Sequence, residues 1–203
     1  MNKKVSASRR AIAAIRRGHP WVYSEPEIRG ALGDIVVVCD EAKRAVGWGI
    51  VDEGAIVLRV LGRGEPSDLA ATLIDRISRA DKFRLRLLPD DTDTYRVVFG
   101  AGDGLPDLVV DRYGDVAVLR LYAKAWEPWL AQILTALRKL YWVRTVYRRY
   151  GVRRVDGKQG GETIFGVEPE DVIVVTEAGI RQIVRVKEGQ KTGLFLDQRE
   201  HRM

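Results

Sequence analysis

The chain has 203 residues, 46% of them hydrophobic and 31% charged, enough apolar material for one large domain or two small ones. No apolar run approaches the roughly 20 residues that span a bilayer, the charged start has no apolar signal core behind it, and the single cysteine, Cys39, excludes an internal disulfide framework and a Cys-rich zinc cage. These features predict a cytoplasmic protein with no membrane and no metal. The net charge of +6 is clustered. Met1 to Ser24 carries Lys3, Lys4, Arg9, Arg10, Arg16 and Arg17 and no acid before residue 25; Arg144 to Lys158 carries Arg144, Arg148, Arg149, Arg153, Arg154 and Lys158 against Asp156. One such cluster reads as a solvated face. Two, with aromatics among them, favour a nucleic-acid partner whose phosphates they neutralise.

In chain order, Ser8 caps a short helix over Arg9–Arg17, with Ile12 and Ile15 inward and the arginines outward. Strands follow at Trp21–Tyr23, Ile35–Cys39, Ala45–Val51 and Ile56–Leu61, separated by Gly30, Gly33-Asp34 and Asp52-Glu53-Gly54. Short strands at this spacing predict a small barrel. Gly62 to Pro66 reads as a linker. Ser67 or Asp68 then caps an amphipathic helix to about Leu87, ended by Pro89. Strands Tyr95–Phe99, Leu108–Tyr113 and Val116–Tyr122 come next, the last two joined by a tight Gly114-Asp115 turn. A helix over Glu127–Leu140 and strands Thr145–Tyr150, Val172–Glu177 and Ile180–Val186 complete a second, α+β domain. The remaining tail reads as a loop entering a helix that is cut at Met203.

Cys39 ends a β run and reads as a buried small hydrophobe, not a nucleophile. His19 and His201 stand alone and give no zinc pattern. Gly100 to Gly104 precedes a proline and a strand, so it lacks the helix N-terminus of a dinucleotide loop. Asp90-Asp91 and Glu168 with Glu170 read as exposed loops. Gly189-Gln190-Lys191-Thr192-Gly193, followed by Phe195, Asp197, Gln198 and Arg199, suits a loop wrapped around a small polar ligand and equally suits a surface loop.

Three motifs carry a resemblance. GQKTGLFLDQR (189–199), GHPWVYS (18–24) and DGLPDLVVDRYGD (103–115) are similar, in this order, to segments of bacterial class I SAM-dependent 23S rRNA methyltransferases with an N-terminal PUA domain, which form 5-methylcytosine. The resemblance implies a PUA-like RNA-binding domain over 1–66, a central α+β domain over 67–187, and the start of a methyltransferase domain over 188–203. The fold class it implies is α+β: a PUA-like β-barrel followed by a mixed α+β domain, with the Rossmann-like methyltransferase domain absent except for its entry segment. Carried over residue by residue, Lys191, Thr192, Gly193, Phe195, Asp197, Gln198 and Arg199 are expected at the SAM site. Arg9, Arg10, Arg16, Arg17, His19, Trp21, Arg148, Arg149, Arg153 and Arg154 are the expected contacts to 23S rRNA, with a homodimer as a further arrangement. The family's catalytic cysteine is expected beyond Met203, so the chain holds no catalytic residue and is expected to be inactive by itself. Asp107 stands where the family has glycine, Leu194 replaces an aromatic residue, and His201 replaces an asparagine. The alternative reading is a stand-alone RNA-binding module.

Overall fold

The computed structural model describes residues 2–151 and 159–201. Its first sheet has five strands in the order β1-β3-β4-β5-β2: β1 (Lys3–Ser6), β2 (Trp21–Tyr23), β3 (Ile35–Cys39), β4 (Ala45–Val51) and β5 (Ile56–Arg63). β1 runs parallel to β3 and the other pairs are antiparallel. β1 has one buried residue, Val5, between exposed neighbours; a single apolar position offers no period to detect, which is why the sequence does not predict it. The expected barrel is an open sheet, because β1 and β2 end its two edges without pairing to each other.

Helix α1 (Arg9–Arg16) packs on β2, β4 and β5. Ser8 Oγ accepts from the Ala11 N–H at 3.2 Å, the predicted cap. Ala11, Ile12 and Ile15 enter a core with Val22, Val36, Val38, Val46 and Leu58. Gly47 permits this approach: a Cβ there would stand 2.7 Å from Ile15 Cγ2.

A second five-stranded sheet has the order β10-β9-β8-β7-β6. Its strands are β6 (Thr94–Phe99), β7 (Leu108–Tyr113), β8 (Val116–Leu121), β9 (Thr145–Arg149) and β10 (Gly161–Phe165), with β8 and β9 parallel. Helices α2 (Leu69–Leu87) and α3 (Leu130–Leu137) pack against each other, and their apolar residues share a core with this sheet. Asp68 caps α2 through the Ala71 N–H at 2.7 Å. The predicted helix from Glu127 is a 3₁₀ turn over Lys124–Trp129 before α3 begins, because Pro128 has no N–H to continue an α ladder. Trp48, Ile50 and Leu61 of the first sheet join the same core. A hairpin of β11 (Ile173–Glu177) and β12 (Ile180–Val184) contributes Val175 and Val184, which meet Tyr113, Val116, Val118 and Tyr147 of the second sheet in a separate cluster.

The fold class expected from the sequence is corrected at the tail. That expectation makes the tail the stub of an otherwise absent domain. In the structure the tail closes onto the second sheet: Thr192 is buried, Leu194 and Leu196 pack against the Tyr113–Val184 cluster, and a 3₁₀ turn spans Leu196–His201. The physical cause is the pair of buried carboxylates Asp111 and Glu177, which the tail helps to satisfy. Among the described residues, no helix is long and apolar enough to cross a membrane.

Candidate nucleic-acid interface and ligand loop

The four arginines of the first helical region divide into two pairs. Arg9 Nε lies 2.8 Å from Glu41, and Arg16 Nη2 lies 3.1 Å from Asp40, both acids at the β3–β4 turn. The Arg44 backbone N–H and guanidinium also bind Asp40 and hold its carboxyl below the usual carboxylate range. Arg10 and Arg17, among the described residues, make no ion pair, and Arg17 also borders the pocket of Arg9, Arg16, Asp40 and Glu41. Arg10 and Arg17 line an open groove of about 660 Å³ with His19, Trp21 and Tyr23.

Local structure explains the groove. α1 is followed, after its cap Arg17, by Gly18, whose φ of 85° suits the left-handed turn after a helix. The chain returns as β2, where Trp21 and Tyr23 share one face and Val22 is buried on the other. The His19 ring meets Trp21 edge to face at 5.7 Å and Tyr23 at 6.1 Å. Glu25, the acid of the groove, is engaged by Ser8 through Oγ at 2.7 Å and N–H at 3.1 Å. Two cations that make no ion pair among the described residues, beside three aromatic or imidazole rings, can take phosphate and an unstacked base together.

The second basic cluster is arranged differently. Arg148 is buried, pairs with Glu127 and lies over the Tyr150 ring at 4.8 Å. Arg149 donates to the carbonyls of Val186, at 2.7 Å, and Gly189. Both guanidiniums therefore bind parts of the fold itself. Arg153 and Arg154 lie outside the described residues.

In the tail, Thr192 Oγ1 sits 2.5 Å from Asp111 Oδ2 and 2.9 Å from the Tyr113 hydroxyl. The Leu194 N–H donates to the same hydroxyl at 3.2 Å. Burial and the neighbouring Asp111 raise the Tyr113 pKa. Arg199 pairs with Glu177 at 3.0 Å and donates to the Thr94 carbonyl at 3.2 Å. Gly193 has a φ of 139°, and a Cβ on it would stand 2.6 Å from Val184 Cγ1. These three residues hold the loop. Lys191 and Asp197 form an exposed pair at 2.9 Å that lowers the Asp197 pKa, and Lys191 Nζ lies 4.4 Å from the Phe195 ring centre. Gln198 is exposed. Lys191, Phe195, Asp197 and Gln198 thus lie on the outer side of the loop, where Lys191 contacts both Asp197 and Phe195.

A cluster between the two sheets carries no signature in the sequence beyond the departure at Asp107. Arg59 donates to Asp52 Oδ2 from Nε at 2.9 Å and from Nη2 at 2.7 Å, and its Nη1 lies 3.0 Å from Asp107 Oδ2. That Oδ2 also accepts from Trp21 Nε1 at 2.8 Å. The cluster borders a cleft of about 400 Å³ shared with Tyr122 and Lys124. Cys39 is buried, and among the described residues no group of three or more His, Cys, Asp or Glu side chains could hold a metal ion.

Residues 8–63 match the family described as a PUA-like domain. Over 98% of its length the chain is 39% identical to a ribosomal RNA large subunit methyltransferase of Deinococcus radiodurans, of which it covers 53%. It is 31% identical, over 94% of its length, to ribosomal RNA large subunit methyltransferase I of Escherichia coli, of which it covers 50%. The chain spans about half the length of these relatives. Two solved structures share its fold at 21% identity. A candidate SAM-dependent methyltransferase from Streptococcus mutans aligns with a TM-score of 0.82 over 98% of this chain and 53% of its own. A candidate methyltransferase in complex with SAH aligns with 0.81 over 100% of this chain and 52% of its own. These alignments overturn the fold class expected from the sequence: the shared fold spans this chain from end to end, the tail included, and about half of each solved chain.

Proposed function

We propose that the chain belongs to a SAM-dependent methyltransferase of large-subunit rRNA, that it holds RNA in the groove of Arg10, Arg17, His19, Trp21 and Tyr23, and that the base methylated is cytosine at C5. One observation carries the RNA reading: a groove inside the PUA-like region combines two cations free of ion pairs with Trp21 and Tyr23. The cytosine reading is supported by the resemblance of the 189–199 motif.

The loop residues fit part of the cofactor's chemistry. Lys191 and Asp197 offer one cation and one anion, Gln198 both hydrogen-bonding senses, and Phe195 an aromatic face, which suits a ligand bearing an amino acid and an adenine. When bound, SAM supplies an electrophilic methyl group on a sulfonium. The chain's own residues hold RNA by phosphate and stacking contacts and hold the loop in place through Thr192, Gly193 and Arg199. Cys39 is buried in β3 and has no part in this proposal.

The test incubates the whole protein that carries this chain with methyl-labelled SAM and large-subunit rRNA, then digests the RNA to nucleosides. Label in 5-methylcytidine is expected. Label in another nucleoside overturns the cytosine assignment. Salt-sensitive RNA binding with no label overturns the enzyme reading and leaves an RNA-binding module.

A further inference from the structure

Trp21 lies on β2, a three-residue strand at the edge of the first sheet. Its pairing with β5 slips between Val22 and Tyr23, so the ladder alone holds it weakly. Yet its indole is anchored. The Nε1–H donates at 2.8 Å to Asp107 Oδ2, 86 residues away in the turn ahead of β7. Asp107 has a φ of 65°, a conformation that favours glycine and that aspartate tolerates better than most residues. The same oxygen lies 3.0 Å from Arg59 Nη1, and Arg59 faces Trp21 across the β2–β5 ladder. Arg59 is itself fixed by Asp52, whose Oδ1 accepts from the N–H groups of Glu53, at 2.9 Å, and Ala125, at 3.2 Å. The Asp107 carboxylate, carried by the turn ahead of β7, thus meets the indole of β2 and the guanidinium of β5 in the first sheet.

We propose that Asp107 is a positioning residue for RNA: it fixes the edge of the Trp21 indole so that the ring stands ready in the groove as a stacking wall for an unpaired nucleobase of single-stranded RNA. This rests on the groove reading above. Arg10 and Arg17 supply attraction for phosphates that is indifferent to sequence. The held ring supplies a flat face on which a base stacks, and a base inside a duplex is not available to it. Holding the ring beforehand removes the loss of side-chain freedom that stacking otherwise carries.

The experiment measures binding of the whole chain to a labelled single-stranded RNA oligonucleotide across a salt series, with its duplex as a second probe. Asp107→Gly is expected to weaken single-strand binding by about five- to tenfold, part of the value of one base–aromatic stack. Duplex binding and the salt slope are expected to stay as in the parent, since no cation is removed. Asp107→Asn, which keeps an acceptor for the indole, is expected to recover most of the loss. In a Trp21→Ala background, Asp107→Gly is expected to have no further effect, whereas a general loosening of the fold would weaken binding in both backgrounds. Parent-like binding by Asp107→Gly, or an equal loss with and without Trp21, overturns the proposal. The groove reading fails separately, if Arg10→Gln with Arg17→Gln leaves both affinity and salt slope unchanged.

Discussion

Thr192 Oγ1 sits 2.5 Å from Asp111 Oδ2, joining the tail to the middle of the second sheet across 81 residues. Asp111 is fully buried, and Arg96 binds its carboxylate at 2.8 Å from the other side. The hydroxyl therefore adds a donor to a buried carboxylate whose two oxygens Arg96 already engages, at 2.8 Å and 3.1 Å. Thr192→Val keeps the shape and removes the donor. It is expected to lower stability by about 2 kcal/mol, in the range for a hydrogen bond to a buried charge. Thr192→Ser is expected to lose less than half of that. Urea unfolding of both variants checks this.

Gly193 faces Val184 at the base of the same loop. A methyl group there meets Val184 Cγ1 and forces a backbone angle that side chains rarely adopt. Gly193→Ala is expected to destabilise by about 1–3 kcal/mol and to weaken SAH binding measured by calorimetry. Asp197→Ala, on the exposed side, is expected to weaken SAH binding without lowering stability. Intact SAH binding in Asp197→Ala would remove that side of the loop from the cofactor site.

The ion pairs of α1 predict that its arginines are unequal. Arg10→Gln with Arg17→Gln removes two cations that face the groove, and the log–log salt slope for single-stranded RNA is expected to fall by about 1.4, roughly 0.7 per phosphate contact. Arg9→Gln with Arg16→Gln removes cations already facing Glu41 and Asp40. That pair is expected to change the slope by well under half as much. Salt titrations of the two double variants decide it.

Asp81 is a buried residue of α2, and its Oδ1 accepts from Tyr95 Oη at 2.9 Å and Trp142 Nε1 at 3.1 Å. Burial raises its pKa above the ordinary carboxylate value, and the two donors oppose this only in part. The folded state thus holds the proton more tightly than the unfolded chain. Its contribution to stability is fully present below the unfolded pKa and is lost as pH rises through the folded one. Asp81→Asn keeps the acceptor and removes the titration. Unfolding midpoints from about pH 4 to about pH 7 are expected to fall with pH less in Asp81→Asn than in the parent.

Most of the regular elements are legible in the sequence because their signals are local. Ser8 and Asp68 precede their helices by one residue and cap them as expected. The β7–β8 and β11–β12 hairpins turn at Gly114 and Gly179, both with positive φ. β1 and β10 escape detection, since neither has a run of alternating buried positions. The 3₁₀ turn before α3 follows from Pro128, yet the helical spacing around it hides the change.

The amino-acid sequence by itself determined that the chain is basic in clusters, that arginines are followed by aromatics near its start, and that residues 189–193 form a polar glycine-bounded motif. Only the tertiary structure decided which of these groups face outward. Arg9 and Arg10 are neighbours in sequence, yet one meets Glu41 and the other the groove, because a helix turns successive residues about 100° apart. Arg148 and Thr192 look like contacts for a ligand, but each completes a carboxylate of the fold, on Glu127 and Asp111. The reason is the same throughout. A charge or hydroxyl is available to a partner only where no closer group in the fold satisfies it, and those closer groups come from 21 to 86 residues away.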